Sequence, residues 1–312
     1  MLPRRDQLAV LALGALVALA PAVCAAQSQV VVEGNLKQRA NGVLALMGYM
    51  VTPDVTTGSL GISNAATGNP DLAMTTLGGG FTLRGRYPLY LEGTLGYARY
   101  DPTFVTTNGQ VERQVESQWD AYSATGGVGW DFPLAARLVV RPVLNFSLGR
   151  VDSAISVREE SGDEIGFLAN GKLDSRGFGG SLILDYEDYR PEREIDVELR
   201  YTNIRLSSLG GSASIVQGSA DAESVSFWTR RRAPSGITML ERPLRYVLEF
   251  AYSRFFGDLD GVLGFNDVAS FGAGVELDSS ARDIPVERTR LMLRYRVGEN
   301  VTGWSIGLAV SF

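Results

Sequence analysis

The sequence predicts an all-β protein: a transmembrane antiparallel β-barrel of about twelve strands, with an N-terminal amphipathic helix in or under the lumen. Three observations lead there. Apolar residues recur at every second position in many separate segments, which is the period of a strand and not of a helix. The positions between them hold charged or small residues. The chain also opens on an export signal and closes on an aromatic strand.

Composition narrows the function before any element is placed. The 312 residues include 36 glycines, no histidine and a single cysteine, with a net charge of -6. Without histidine there is no imidazole acid or base, no Ser-His or Cys-His nucleophile, no haem of the usual ligation and no ordinary zinc site. No cofactor and no metal are expected. An acidic pI near 5.0 argues against sequence-independent binding of nucleic acid, which needs a basic face.

Residues 1–26 read as a cleaved signal peptide. Arg4 and Arg5 give a basic start, Leu8 to Ala20 is an unbroken apolar run, and Cys24-Ala25-Ala26 supplies small residues before Gln27. That run is short of the roughly 20 residues a spanning helix needs. Residues 27–53 form an N-terminal segment, and 54–312 the barrel.

Strand segments are expected near 73–86, 88–100, 117–131, 136–151, 175–187, 193–206, 221–232, 243–256, 266–278, 287–298 and 301–312. In one of them Leu89, Leu91, Leu95 and Tyr97 oppose Tyr90, Glu92, Thr94 and Gly96; in another Leu291, Leu293, Tyr295 and Val297 oppose Arg290, Met292, Arg294 and Arg296. A soluble barrel would bury the greasy face and wet the charged one, and alternation alone does not choose between the two. Two features choose the inverted arrangement. Aromatic residues (Tyr97, Tyr100, Trp119, Trp130, Phe132, Tyr252, Trp304) collect toward strand ends, as girdles at two membrane interfaces require. The 27 arginines against two lysines, Lys37 and Lys172, suit a hydrogen-bonded lumen better than a solvent surface.

Long connections at 101–116, 152–174, 207–220 and 257–265 alternate with short ones such as Arg86-Tyr87-Pro88, as external loops alternate with periplasmic turns. Those near 101–116, 152–174 and 207–220 are the expected contact surfaces. With the C-terminus periplasmic, the strand at 73–86 runs downward, so an upward strand is required before it. Asp54 to Asn64 is the candidate that brings the count to twelve. Ahead of it, Leu36, Ala40, Val43, Leu44, Met47 and Val51 recur at helical spacing, and Pro53 ends the run, which predicts a helix near 33–50.

The last strand carries the most specific signal. Trp304, Ile306, Leu308, Val310 and Phe312 alternate with small residues such as Gly307 and end the chain on an aromatic ring. This pattern resembles the signal by which the outer-membrane assembly machinery recognises its substrates. The whole, a helix leading into about twelve strands, resembles the translocator barrels of autotransporters. More narrowly it is similar to the solitary autotransporter-like barrels, through Val51-Thr52-Pro53-Asp54-Val55-Thr56 and Arg242-Pro243-Leu244-Arg245-Tyr246. The resemblance implies a place and a fold, the outer membrane of a Gram-negative bacterium with outer-membrane lipid and the barrel assembly machinery as partners, and no settled activity; with histidine absent, a non-catalytic surface, structural or interaction role is expected, with a narrow channel as the alternative and a His-free outer-membrane enzyme or a soluble periplasmic β-barrel behind it. Only residues 27–32 separate signal peptide and helix, so no passenger domain is expected there.

Candidate chemistry lies on the inward faces. Glu92, Arg141, Asp196, Glu198, Arg200, Arg245, Glu249, Glu276, Arg290, Arg294 and Arg296 are expected to face the lumen. They either select ions in a narrow channel or pair across neighbouring strands and hold the lumen up. Asp258-Leu-Asp260-Gly261 partly resembles a calcium loop, without the third acidic ligand or the distant glutamate. A carboxylate mechanism using Asp120 or Asp185 with Glu92 has no spacing to support it, and Asn41-Gly42 reads as a helix-surface pair.

Overall fold

The computed structural model describes residues 10–11, 30–31, 36–53, 58–62, 72–83, 87–101, 103–107, 112–156, 172–209, 218–262, 264–278, 288–299 and 301–311. The signal-peptide assignment falls almost wholly outside them, as do Phe312 and the loop centres at 157–171 and 210–217.

Twelve staves follow one another around a single antiparallel sheet. They are β1 (Gly58–Ile62), β2 (Leu72–Thr82), β3 (Leu89–Tyr100), β4 (Glu112–Trp130), β5 (Leu138–Ser156), β6 (Lys172–Arg190), β7 (Arg193–Ser208), β8 (Ser219–Met239), β9 (Arg242–Gly257), β10 (Asp267–Asp278), β11 (Arg288–Gly298) and β12 (Val301–Ser311). Each stave pairs with the next in sequence, and β1 returns alongside β12, which brings the two edges of the sheet together. The short strand required before 73–86 is present as β1. Shorter pieces extend the sheet at its margins. Thr103–Thr107 pairs with β4, Phe132–Ala135 folds back on β5, Val30–Val31 runs parallel to Phe104–Val105, and Val10–Leu11 pairs with Val310–Ser311.

The faces are inverted relative to a soluble barrel. Phe146 is 56% exposed and Leu293 50% exposed on the outside, while Arg290, Arg294 and Arg296 of the same wall are buried inside. An exterior this continuously apolar is the lipid-facing band of a membrane barrel. A closed antiparallel sheet is one of two structures that satisfy every backbone polar group in hydrocarbon. Across the outside, ring pairs bind neighbouring staves: Phe146 with Phe178 at 5.1 Å, Phe250 with Phe271 at 5.2 Å and Tyr295 with Trp304 at 4.9 Å. Such pairs add about 0.5–1.5 kcal/mol each beyond area burial.

Several expectations need correction. Tyr100 and Trp119 belong to no girdle: they turn inward and pack against the core around the helix. The segment 101–116 is no open loop, because its backbone continues the hairpin through Thr103–Thr107 and β4. The alternation of long and short links also breaks at the end of the chain. Gly298 pairs with Val301 across a two-residue link at the loop end. At the β8–β9 turn, Leu240 and Glu241 take φ of 55° and 62° without glycine. That is the backbone a two-residue hairpin turn demands, at a cost of about 1–2 kcal/mol per non-glycine residue.

The helix α1 (Leu36–Val51) lies inside the staves. It packs chiefly on β8, with β3, β4, β7 and β5, and Val43 to Met47 and Tyr49 to Val51 are buried on every side. This is more than the amphipathic pattern predicts, since a helix buried all round sits within a core. The side chains of residues 36–42, including Asn41, lie outside the described ones.

Candidate functional site

The lumen has three bands. Toward the loop end, α1 fills it. Its apolar side chains meet Ala98, Ala121, Val151, Leu173, Ile204, Leu206, Ala220 and Ala222 from the walls, with Leu259 and Phe265 from the β9–β10 loop. Small wall residues make room: a Cβ on Gly149 would collide with the Met47 methyl, and one on Gly48 would lie 3.0 Å from the Ala222 Cβ. The Tyr49 hydroxyl donates to the Leu259 carbonyl at 2.6 Å, and its ring stacks 4.6 Å from Phe255.

Hydroxyls make the middle band and terminate the helix. The last carbonyls of a helix have no partner within it. Here Thr125 Oγ1 donates to the Val51 carbonyl at 3.0 Å, Ser123 Oγ to Met50 at 3.5 Å, and Thr52 Oγ1 to Gly48 at 2.8 Å.

Charge fills the band toward the turns, and it is arranged in two groups. In the first, Arg200 binds Glu92 at 2.9 Å and Glu198 at 3.0 Å. Asn145 Nδ2 donates to Glu92 at 2.7 Å, and Ser181 donates to the Asn145 carbonyl oxygen at 2.8 Å. Arg141 pairs with Asp131 and, at 3.1 Å, with Asp185, while its guanidinium lies 4.0 Å over the Tyr90 ring. In the second, Asp196 receives Arg230 at 2.9 Å, Arg232 at 3.0 Å and the Tyr189 hydroxyl at 2.6 Å. Glu194 receives Arg245 at 2.7 Å and Arg288 at 2.8 Å. Glu276, 0% exposed, binds Arg290 at 2.5 Å with Arg232, Arg245 and Arg288 within 3.7 Å. Arg294 pairs with Glu249 at 2.5 Å.

Two of these pairs join staves four apart. Arg200 on β7 reaches Glu92 on β3, and Arg288 on β11 reaches Glu194 on β7. They cross the bore and do not merely run along its wall.

All eleven charges that alternation assigns to the lumen face inward, and the structure joins ten of them, all but Arg296, in the pairs above. That set lacks Asp131, Asp185, Glu194, Arg230, Arg232 and Arg288, which complete the two groups. Alternation places Glu194, Arg230, Arg232 and Arg288 in register with members of the set, so parity carried to the strand ends finds them. Asp131 lies in a turn, where parity gives nothing. Asp120 faces outward and accepts from the Tyr97 hydroxyl at 2.7 Å, far from any pairing with Glu92. In the loop that partly resembles a calcium site, the Asp258 carboxylate instead accepts from the Asp221 amide at 2.8 Å, and Asn266 Oδ1 accepts from the Gly261 amide at 2.7 Å. No cluster of three metal-ligating side chains occurs among the described residues. In the last strand Trp304 and Ile306 face outward, and Gly307 lines the inside.

The architecture is one helix held inside an antiparallel barrel of twelve staves. No protein-family model matches the chain, and no curated protein matches it. Similar solved structures include the β domain of the Bordetella autotransporter BrkA, 16% identical over 82% of this chain and 96% of that one, with TM-score 0.48. The translocator domain of NalP from Neisseria meningitidis is 10% identical over 88% and 95%, with TM-score 0.46. The transport unit of AIDA-I from Escherichia coli is 12% identical over 87% and 97%, with TM-score 0.45. At this identity nothing about activity follows from the likeness.

Proposed function

We propose that the chain is an integral outer-membrane barrel with a closed lumen, acting without catalysis as a scaffold that presents its loops at the cell surface. The observation that supports this best is the burial of α1 on every side, with Leu259 and Phe265 closing over it from a loop. Below the helix, Arg200–Glu92 and Arg288–Glu194 cross what space is left. The helix and the crossing pairs therefore stand in series along the lumen and obstruct an aqueous path through it. Export through a cleaved signal peptide, and insertion by the assembly machinery through Trp304, Ile306, Gly307, Leu308, Val310 and Phe312, belong to the same proposal.

A narrow channel is the second reading. α1 leans on β3 to β8, and the lumen-facing Ser226, Ser253 and Gly298 on the other side are only half-buried. One set of measurements separates the readings. Outer-membrane fractions are washed with carbonate and run unboiled and boiled in a detergent gel, and the purified protein is placed in a planar bilayer. A membrane-retained, heat-modifiable band with no unitary conductance is expected. Steady conductance from the intact chain would replace the scaffold with the channel, and a soluble, unshifted protein would remove both.

A further inference from the structure

We propose that the outer wall of β3 to β6, at its loop end, is a docking site for one outer-leaflet glycolipid with a phosphorylated sugar head. The site rests on the outer-membrane barrel proposed above. Three rows of paired residues define it, stepping from the loop end toward the middle of the apolar band. The first runs Tyr97, Tyr122, Arg150, Asp174, the second Leu95, Ala124, Leu148, Arg176, and the third Gly93, Gly126, Phe146, Phe178. All twelve positions face outward, and none is buried.

Apart from Arg176, the lower two rows are apolar. Arg176 is exposed, lies in register with Leu148 and stands two residues from Phe178 on the same stave. Among the described residues it has no ion pair and no hydrogen bond. The charges around it are settled among themselves: Arg150 with Asp174 at 2.7 Å, Arg205 with Asp221 at 3.9 Å and Lys172 with Asp152 at 4.0 Å. A guanidinium at the edge of hydrocarbon with no carboxylate to meet is short of an anion, and the anion a membrane surface supplies is lipid phosphate. Arg150, on the neighbouring stave, gives Asp174 only its Nε and Nη2. Its remaining N–H donors are available to the same phosphate.

The upper row selects a sugar. Tyr97 and Tyr122 are both exposed, with ring centroids 5.2 Å apart. Beside them Asp120 accepts from the Tyr97 hydroxyl at 2.7 Å and from Gln118 Nε2 at 3.0 Å, and Gln118 Oε1 accepts from Arg99 at 2.9 Å. Exposed rings bordered by a carboxylate, an amide and a guanidinium suit a sugar, whose C–H faces lie on the rings while its hydroxyls meet the polar groups. Below the rings, Ala124 and Gly126 on β4 form a floor between Leu95 on β3 and Leu148 and Phe146 on β5. A Cβ on Gly126 would meet nothing within 4 Å, so an acyl chain has room to lie along this stave. Sugar, phosphate and chain then meet rings, guanidinium groups and floor in the order in which such a lipid carries them. A plain phospholipid leaves the tyrosine row without a partner.

The test follows lipid retention by native mass spectrometry on the folded full chain in a neutral detergent. The probes are a bisphosphorylated acylated disaccharide, its dephosphorylated form and phosphatidylglycerol. Retention of a single bisphosphorylated molecule per chain is expected, with the other two lipids held about tenfold more weakly. Arg150→Ser with Arg176→Ser should weaken its retention about tenfold. Ala124→Leu with Gly126→Leu, which fills the floor and touches no charge, should weaken it as well, and both variants keep their heat-modifiable band. Absence of retention overturns the proposal. So does equal retention of phosphatidylglycerol, which makes the site a patch for any anionic lipid, or of the dephosphorylated form, which removes the arginines from it. Unchanged retention in either folded variant overturns it by placing the lipid elsewhere. If the variants do not fold, the comparison of the three lipids on the intact chain decides alone. A chain that gives no heat-modifiable band sinks the outer-membrane reading together with the site, whereas a folded barrel that holds none of the probes sinks the site only.

Discussion

The hydroxyl of Tyr49, on the helix inside the barrel, donates to the backbone carbonyl of Leu259, in a loop 210 residues further along the chain. This bond closes the loop end over the helix, since Leu259 and Phe265 belong to the same core as Met47 and Met50. Replacing Tyr49 by Phe keeps the ring contacts with Phe255 and Phe265 and leaves the Leu259 carbonyl with only the longer bond from the Val262 amide, at 3.3 Å. A loss of about 0.5–1.5 kcal/mol is expected, read as an earlier midpoint when the folded gel band is followed through a urea series.

The ion pairs differ in worth according to where they lie. Glu276 is fully buried among four guanidinium groups, whereas Arg150 and Asp174 pair at 2.7 Å on the outside with side chains 52% and 38% exposed. Glu276→Ala strands several buried positive charges and is expected to cost about 3–5 kcal/mol. Arg150→Ala, with a bond almost as short, should leave the midpoint nearly unchanged, because water screens an exposed pair. Urea midpoints of the two variants test this, and equal losses would mean that the lumen is wet and the charges are screened.

Alternation makes most of this barrel legible in the amino-acid sequence. Period two is enforced by the pleat, so wherever Leu291 or Phe146 faces lipid, its neighbours Arg290 and Asn145 have to face the lumen. An even strand count requires β1, although its weak five-residue pattern, Gly-Ser-Leu-Gly-Ile, shows little of a strand. What sequence misses has a common cause. Parity says which face a residue is on but not how far along the barrel axis it lies, and the inner face changes character along that axis from apolar to hydroxyl to charged. Aromatic residues at strand ends suit a girdle, and that pattern assigns Tyr100 and Trp119 to the outside; their parity, opposite to that of the outward-facing Tyr97 and Tyr122, puts them on the inner face, where they line the apolar band around the helix. Which charges meet across the bore, such as Arg200 with Glu92, depends on barrel closure and is written in no local pattern.

Lipid contact on the outside makes a separate prediction. Leu293 is 50% exposed and pairs with Ala273 and Ile306, in the middle of the apolar band, while its neighbour Arg294 is buried with Glu249. Leu293→Arg puts a charge into hydrocarbon at a cost of about 2–4 kcal/mol near the midplane. The variant should show a reduced folded fraction after dilution into lipid vesicles, with a smaller effect in detergent micelles, where water reaches the band. Equal folding in vesicles would mean that this face does not meet the bilayer core.

Removing the helix should not by itself open the barrel. Deleting residues 36–51 empties the band lined by Ile204, Leu206 and Val151, but the charged band lies nearer the turns and does not depend on α1 for its partners. Arg200–Glu92 and Arg288–Glu194 would still cross the bore, each joining staves four apart. Conductance in a planar bilayer should therefore stay small for the helix deletion alone and for Glu92→Ala with Glu194→Ala alone. It should rise more than additively when the two are combined, because two obstructions in series must both be lifted before ions pass. A large conductance from the helix deletion alone would show that the crossing pairs yield to water, and that the helix is the sole closure.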